Sequence, residues 1–190
     1  MGKNKKNTAF TLIELIVSIA IISVLIVSFT SVTLLSMHSV TSSEQKYLAA
    51  KIAQEGMELL LNKKENHVMA IESGKKIEGS DDWQTNLLGP GEASASWKVD
   101  AVKAEELLHT GKFDTFDSGK YLCFETNLPN RGKFTQECGG AEKIPGDFTR
   151  EVVVEKRGYE DRIFVKSIVR WKNKGLAREL ILEGLFFGLL

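Results

Sequence analysis

The chain has 190 residues, with 25 Lys+Arg against 25 Asp+Glu, so its formal net charge is zero. That balance speaks against a protein that coats nucleic acid, which shows a basic excess or a basic stripe, and no direct nucleic-acid partner is expected. A hydrophobic content of 43% with only 3 prolines excludes a disordered or collagen-like chain, and 2 cysteines are too few for a cysteine-rich zinc site or a disulfide-dense scaffold.

The apolar residues are concentrated at the front. Residues 15–35 carry no charge. As a helix this stretch would be roughly 31 Å long, which matches the hydrocarbon core of a bilayer. Its Ser and Thr hydroxyls can bond back to the helix's own carbonyls, so they are compatible with insertion. Lys3, Lys5 and Lys6 precede it, with no acid before Glu14. The positive-inside rule therefore keeps the N-terminus cytoplasmic and sends the residues beyond the span outward. A secretory signal would have a shorter apolar core ending at a small-residue cleavage site, and none follows here. A plain signal anchor would not predict Glu14, because an acid costs about 2.5–3.5 kcal/mol at the membrane centre and less toward the interface.

Around that acid the sequence reads Lys6-Asn7-Thr8-Ala9-Phe10-Thr11-Leu12-Ile13-Glu14-Leu15. It resembles the N-terminal methylation motif, the class III leader, of type IV prepilins and pseudopilins. The resemblance implies that a basic leader, residues 1–9, is cut between Ala9 and Phe10, that the new amino group of Phe10 is methylated, and that Glu14 is the acid retained inside the apolar helix for assembly. Ala9 stands where that family usually has Gly, and the neighbourhood of Ser31 lacks the Pro that its major pilins often carry. The likeness covers about residues 5–35. It implies a minor pilin or pseudopilin, a structural subunit of a type IV pilus, a type II secretion system or a DNA-uptake filament. The implied partners are a prepilin peptidase/methyltransferase, sibling pilins or pseudopilins, an inner-membrane assembly platform with its motor ATPase acting indirectly, and membrane lipid. A non-polymerising, single-pass, membrane-anchored binding domain is the alternative.

After the span at 10–35, residues 36–62 read as an amphipathic continuation of the helix. Ala49, Ala53, Met57 and Leu60 recur at helical spacing, flanked by Leu48, Ile52 and Leu59, while Gln54, Glu55 and Glu58 lie mostly off that stripe. Gly56 within it costs about 1 kcal/mol against Ala.

Residues 63–190 are expected to form an extracytoplasmic head. Up to residue 146 it is polar and rich in turns, with Gly-Pro-Gly at 89–91 and short strands expected over 93–102 and 119–126. Cys123 and Cys138 bracket a turn-rich loop; outside the cytoplasm a disulfide is the natural reading, and two free thiols are the alternative. Residues 150–156, 162–172 and 176–185 alternate as strands do, and in the second Ile163, Val165, Val169 and Trp171 share a face opposite Lys166 and Arg170. The links at 157–161 and 173–175 are short enough for hairpins. The expected fold is therefore α+β: a long N-terminal helix packed on a C-terminal antiparallel β-meander within residues 150–187. The apolar ending at 185–190 reads either as a last strand tucked into the core or as a contact for another protein.

Enzyme signatures are missing where they would be expected. Gly74-Lys75, Gly111-Lys112 and Gly119-Lys120 lack the spacing of a phosphate loop. His38, His67 and His109 lack metal-ligand spacing and read as surface or polar-contact residues. Asp81-Asp82 and Asp114/Asp117 lack the spacing of an EF-hand loop. No catalytic residue, metal or cofactor is expected.

Overall fold

The computed structural model describes residues 11–74, 83–88, 92–99, 114–115, 120–126, 131–136, 138–139, 142–157 and 162–187. The chain divides into two compact units, residues 1–44 and 45–190. A single helix, α1 (Leu12–Glu72), contributes residues to both. The other elements are α2 (Trp83–Leu88), β1 (Ser94–Lys98), β2 (Asp114–Thr115), β3 (Cys123–Phe124), β4 (Phe134–Thr135), β5 (Glu142–Lys143), β6 (Thr149–Lys156), β7 (Arg162–Asn173) and β8 (Leu176–Phe187). The class is α+β, with a long apolar-fronted helix and antiparallel sheets.

In the second unit α1 buries Ala49, Ile52, Ala53, Gly56, Leu60, Lys63 and His67, each three or four residues from another of the set, which keeps one face turned inward. The helix runs on past Asn62 to Glu72. The apolar stripe ends at Leu60, but the same face continues through Lys63 and His67, and neither Gly nor Pro intervenes between 57 and 73 to stop it.

The face of α1 rests on a five-stranded sheet in the order β2-β1-β6-β7-β8, and a three-stranded sheet, β4-β3-β5, lies beside it. Strands β6, β7 and β8 form the expected antiparallel meander, with Arg150 opposite Val169 and Lys166 opposite Glu183. The turn between β7 and β8 is Lys174-Gly175, both with positive φ (50° and 79°), a pair whose twist matches that of the strands it joins. Strand β1 begins inside the expected range 93–102 and ends at Lys98; residues 100–102 lie outside the described residues. The candidate over 119–126 contributes only Cys123–Phe124 as strand. Along β7 burial alternates as expected, with Ile163, Val165, Ser167, Val169 and Trp171 inward. At the chain's end Phe186 is buried while Phe187 is 53% exposed, so only part of the apolar ending is tucked away; residues 188–190 lie outside the described residues.

Two apolar clusters result. One gathers Leu60, Leu87, Trp97, Val154, Val165 and Phe186; the other gathers Ile52, Ala53, Leu122, Phe148, Val169 and Trp171. Polar groups meet where β6 and β7 cross α1. Arg150, fully buried on the inner face of β6, donates to the backbone carbonyls of Ile52 (3.0 Å) and Val99 and forms an ion pair with Glu55 (2.7 Å). Glu55 in turn accepts from the backbone N–H of Phe134 (3.3 Å), and the Gln136 amide donates to the Arg150 carbonyl (3.1 Å). This network ties helix, large sheet and small sheet together.

Gly56 lies at the same crossing. A Cβ there would stand 2.9 Å from Ser167 Oγ, 3.0 Å from Arg150 Cδ and 3.3 Å from Val152 Cγ2, so the sheet approaches too closely for any side chain. Gly56→Ala is expected to destabilise this unit despite a helix-propensity gain of about 1 kcal/mol, because overpacking costs about 1–3 kcal/mol. Chemical denaturation checks this, and adding Ser167→Ala, which removes the closest atom, is expected to restore part of the loss.

Lys63 occupies a position on the buried face, and burial lowers its pKa from 10.5 to about 8. Between pH 8 and 10.5 the unfolded chain therefore binds more protons at this residue than the folded one. Folding stability contributed by this group rises with pH across that window and is flat below it, where the cost of the buried charge is fully present. Thermal denaturation of the full chain in detergent from pH 7 to 10 is expected to show this rise, and Lys63→Met to abolish it while raising Tm at pH 7.

Candidate functional site

The site resides in the first unit, at the start of α1. Thr11 precedes the helix and its carbonyl accepts from the N–H of Glu14 (3.1 Å) and of Leu15 (3.3 Å), which makes it the N-cap residue. Glu14 sits in the first turn, exposed. A carboxylate is favoured there by the unpaired N–H groups and the positive end of the helix dipole. Thr11-x-x-Glu14 also has the spacing of a capping box.

Beyond Glu14 every described residue up to Glu44 is exposed or half-buried, including Leu15, Ile16, Ile22, Leu25, Phe29 and Leu35. An exposed surface that is apolar on all sides over residues 15–35 is the pattern of a helix that spans a membrane or packs among other apolar helices. The helix is long and apolar enough to cross a membrane. Its hydroxyls are held as expected: Ser18 donates to the Glu14 carbonyl (2.8 Å), Ser23 to Ile19 (2.7 Å), Ser28 to Val24 (2.8 Å) and Thr33 to Phe29 (2.9 Å). The segment thus presents hydrocarbon outward and spends its polar groups on itself.

Of the residues singled out in the sequence, Glu14 lies in the first turn of α1, while Ala9 and Phe10 lie outside the described residues. Cys123 and Cys138 are joined by a disulfide in the second unit, with Cα atoms 5.6 Å apart. His38 is exposed on α1 and His67 is buried on it; His109, Asp81, Asp82 and Asp117 lie outside the described residues. Among the described residues there is no cluster of His, Cys, Asp and Glu able to hold a metal ion. Alternation along β6 places Arg150 on the face of Val152 and Val154, but its partner Glu55 lies on a distant helix and no local pattern links the two.

No curated protein and no solved structure matches the chain. Residues 4–30 match the family model of the prokaryotic N-terminal methylation motif. With Glu14 at the first turn of a helix that is apolar throughout its membrane-length front, the chain carries a type IV prepilin-like leader.

Proposed function

We propose that this chain is a minor pilin or pseudopilin, a structural subunit added to a type IV pilus, type II secretion or DNA-uptake filament. The observation that carries the reading is the methylation motif over residues 4–30 leading into an uncovered apolar helix. In this reading prepilin peptidase cuts between Ala9 and Phe10 and the Phe10 amine is methylated. Before assembly the subunit is stored in the inner membrane as a single span, N-terminus inside, with the head outside. The assembly platform, driven by its motor ATPase, then moves it among sibling subunits, where lipid contacts give way to helix contacts. Loss of the leader removes Lys3, Lys5 and Lys6 and leaves the Phe10 ammonium beside apolar residues. The Glu14 carboxylate of one subunit then pairs with the Phe10 ammonium of its neighbour. Each charge gains a partner in a medium of low dielectric, and the pair sets the axial register. The Cys123–Cys138 disulfide suits a head on the oxidising side.

The test is intact-mass and N-terminal peptide spectrometry on protein purified from its native membrane. A mature chain beginning at N-methyl-Phe10 is expected. A chain that keeps Lys3, Lys5 and Lys6 in a host with active prepilin peptidase would return the protein to the class of anchored, non-polymerising binding domains.

A further inference from the structure

Strand β8 lies at the edge of the five-stranded sheet, and among the described residues no strand pairs with its outer side. Edges are ordinarily blunted by shortness, Pro, charged side chains or a bulge. The opposite edge, β2, is two residues long, whereas β8 runs for twelve without Pro, and its only charges are Arg178 on the inner face and Glu179 and Glu183 on the outer one. Its twelve residues pair with β7 in unbroken register from Leu176 to Phe187, so it contains no bulge.

The outer face of β8 carries Glu179, Ile181 and Glu183 at alternate positions, with Ile181 49% exposed. Strand β7 shows what such a row accepts. Opposite these three residues it places Arg170, Ile168 and Lys166, with ion pairs of 2.7 Å from Arg170 to Glu179 and 3.1 Å from Lys166 to Glu183. The two acids retain 45% and 66% side-chain exposure after pairing, so a strand on the other side meets the same acid–apolar–acid row. On the inner face, helix α1 borders the edge: Met57 lies against Gly184, and Lys64 donates to the Phe187 carbonyl. Leu61, one turn from each and 38% exposed, is the apolar surface that an inward side chain of an added strand would cover.

The geometry points to β8 as a docking edge for an extended segment of another polypeptide, one that carries basic, apolar and basic residues at alternate positions on its outward side. Main-chain bonds supply the affinity and the Glu179–Ile181–Glu183 row supplies the choice. A second copy of β8 is a poor occupant. Antiparallel pairing about Ile181 would set Glu179 opposite Glu183 at both ends of the row, and like charges directly opposite are destabilising. The inference stands independently of the leader and of filament assembly.

The test uses the full chain in detergent micelles and two synthetic peptides. One carries Lys, Ile and Arg at alternate positions with Val between them; the other has Glu in place of the Lys and the Arg. The basic peptide is expected to bind roughly tenfold tighter, from two cross-strand charge pairs made rather than opposed. It is also expected to slow amide hydrogen exchange in β8 and not in β2. Equal affinity, no binding by either peptide, or protection elsewhere than β8 overturns the proposal. So does slow exchange along β8 that depends on protein concentration without peptide, which would make a second copy the occupant. Reversing both acids (Glu179→Lys with Glu183→Lys) is expected to invert the preference, and a preference that survives the reversal overturns it. The comparison of the two peptides on the unaltered chain decides the matter even where the double variant does not fold.

Discussion

Subunits carrying Glu14→Ala are expected to be cleaved and methylated normally, yet to enter filaments at least roughly tenfold less than wild type when both compete in one cell. Two effects act in the same direction. The substitution removes an acid that is costly in a membrane, so the stored subunit becomes more stable where it waits. It also removes the carboxylate proposed to receive the Phe10 ammonium of the adjacent subunit, so the assembled state loses an ion pair and leaves a cation unmatched in apolar surroundings. Glu14→Asp keeps the charge and is expected to retain part of the activity; Glu14→Gln keeps the shape and is expected to behave like Ala. Quantitative mass spectrometry of sheared filaments against the membrane fraction reads the ratio directly. Incorporation of the Ala variant at the wild-type level would remove the pairing from the mechanism. A defect in cleavage instead would place Glu14 in peptidase recognition.

In the second unit, the larger loss is expected from the less buried partner of its central ion pair. Glu55→Leu leaves the Arg150 guanidinium, whose side chain has no exposure, without its counter-charge. Stranding a buried charge costs about 3–5 kcal/mol, a fall in Tm on the order of 10 °C for a domain of this size. Arg150→Met removes the charge together with the need to solvate it and keeps most of the volume. The Glu55 carboxylate it leaves behind is 21% exposed and still reaches the Phe134 N–H, so the expected cost is no more than about 2 kcal/mol. Denaturation of the two variants side by side measures the asymmetry. Equal losses would mean that Arg150 acts through its bulk and not its charge.

The parts of this molecule legible in the sequence are those in which one physical pattern dominates a long stretch. The uncharged run at 15–35, the helical stripe through Ala53 and Leu60, and the alternation of β6 to β8 each follow from local periodicity. The motif around Glu14 was legible because it is contiguous. What escaped reading depends on contacts between distant segments. Arg150 lies inside an alternating strand, and only the nearness of Glu55, ninety-five residues earlier, makes its burial sustainable. Gly56 looked like a local weakness of the helix, but the approach of Ser167 and Val152 requires it. Lys63 and His67 look polar enough to end a buried stripe, yet they extend it. The two-residue strands β2, β3, β4 and β5 have no periodicity to display; pairings such as Cys123 with Thr135 and Lys143 define them.

The hydroxyl bonds of α1 have a consequence for how the segment changes surroundings. Ser18, Ser23, Ser28 and Thr33 each donate to a carbonyl one turn back, and the same holds for Thr30 and Ser31. A polar group that needed a neighbouring helix would favour the bundle, and one that needed water would favour neither place. These hydroxyls have no such preference, so passage of the helix from lipid tails to apolar helices breaks and makes no hydrogen bond at them. In the filament proposed above, the choice between the two surroundings is therefore left to shape and to the charges at the helix start.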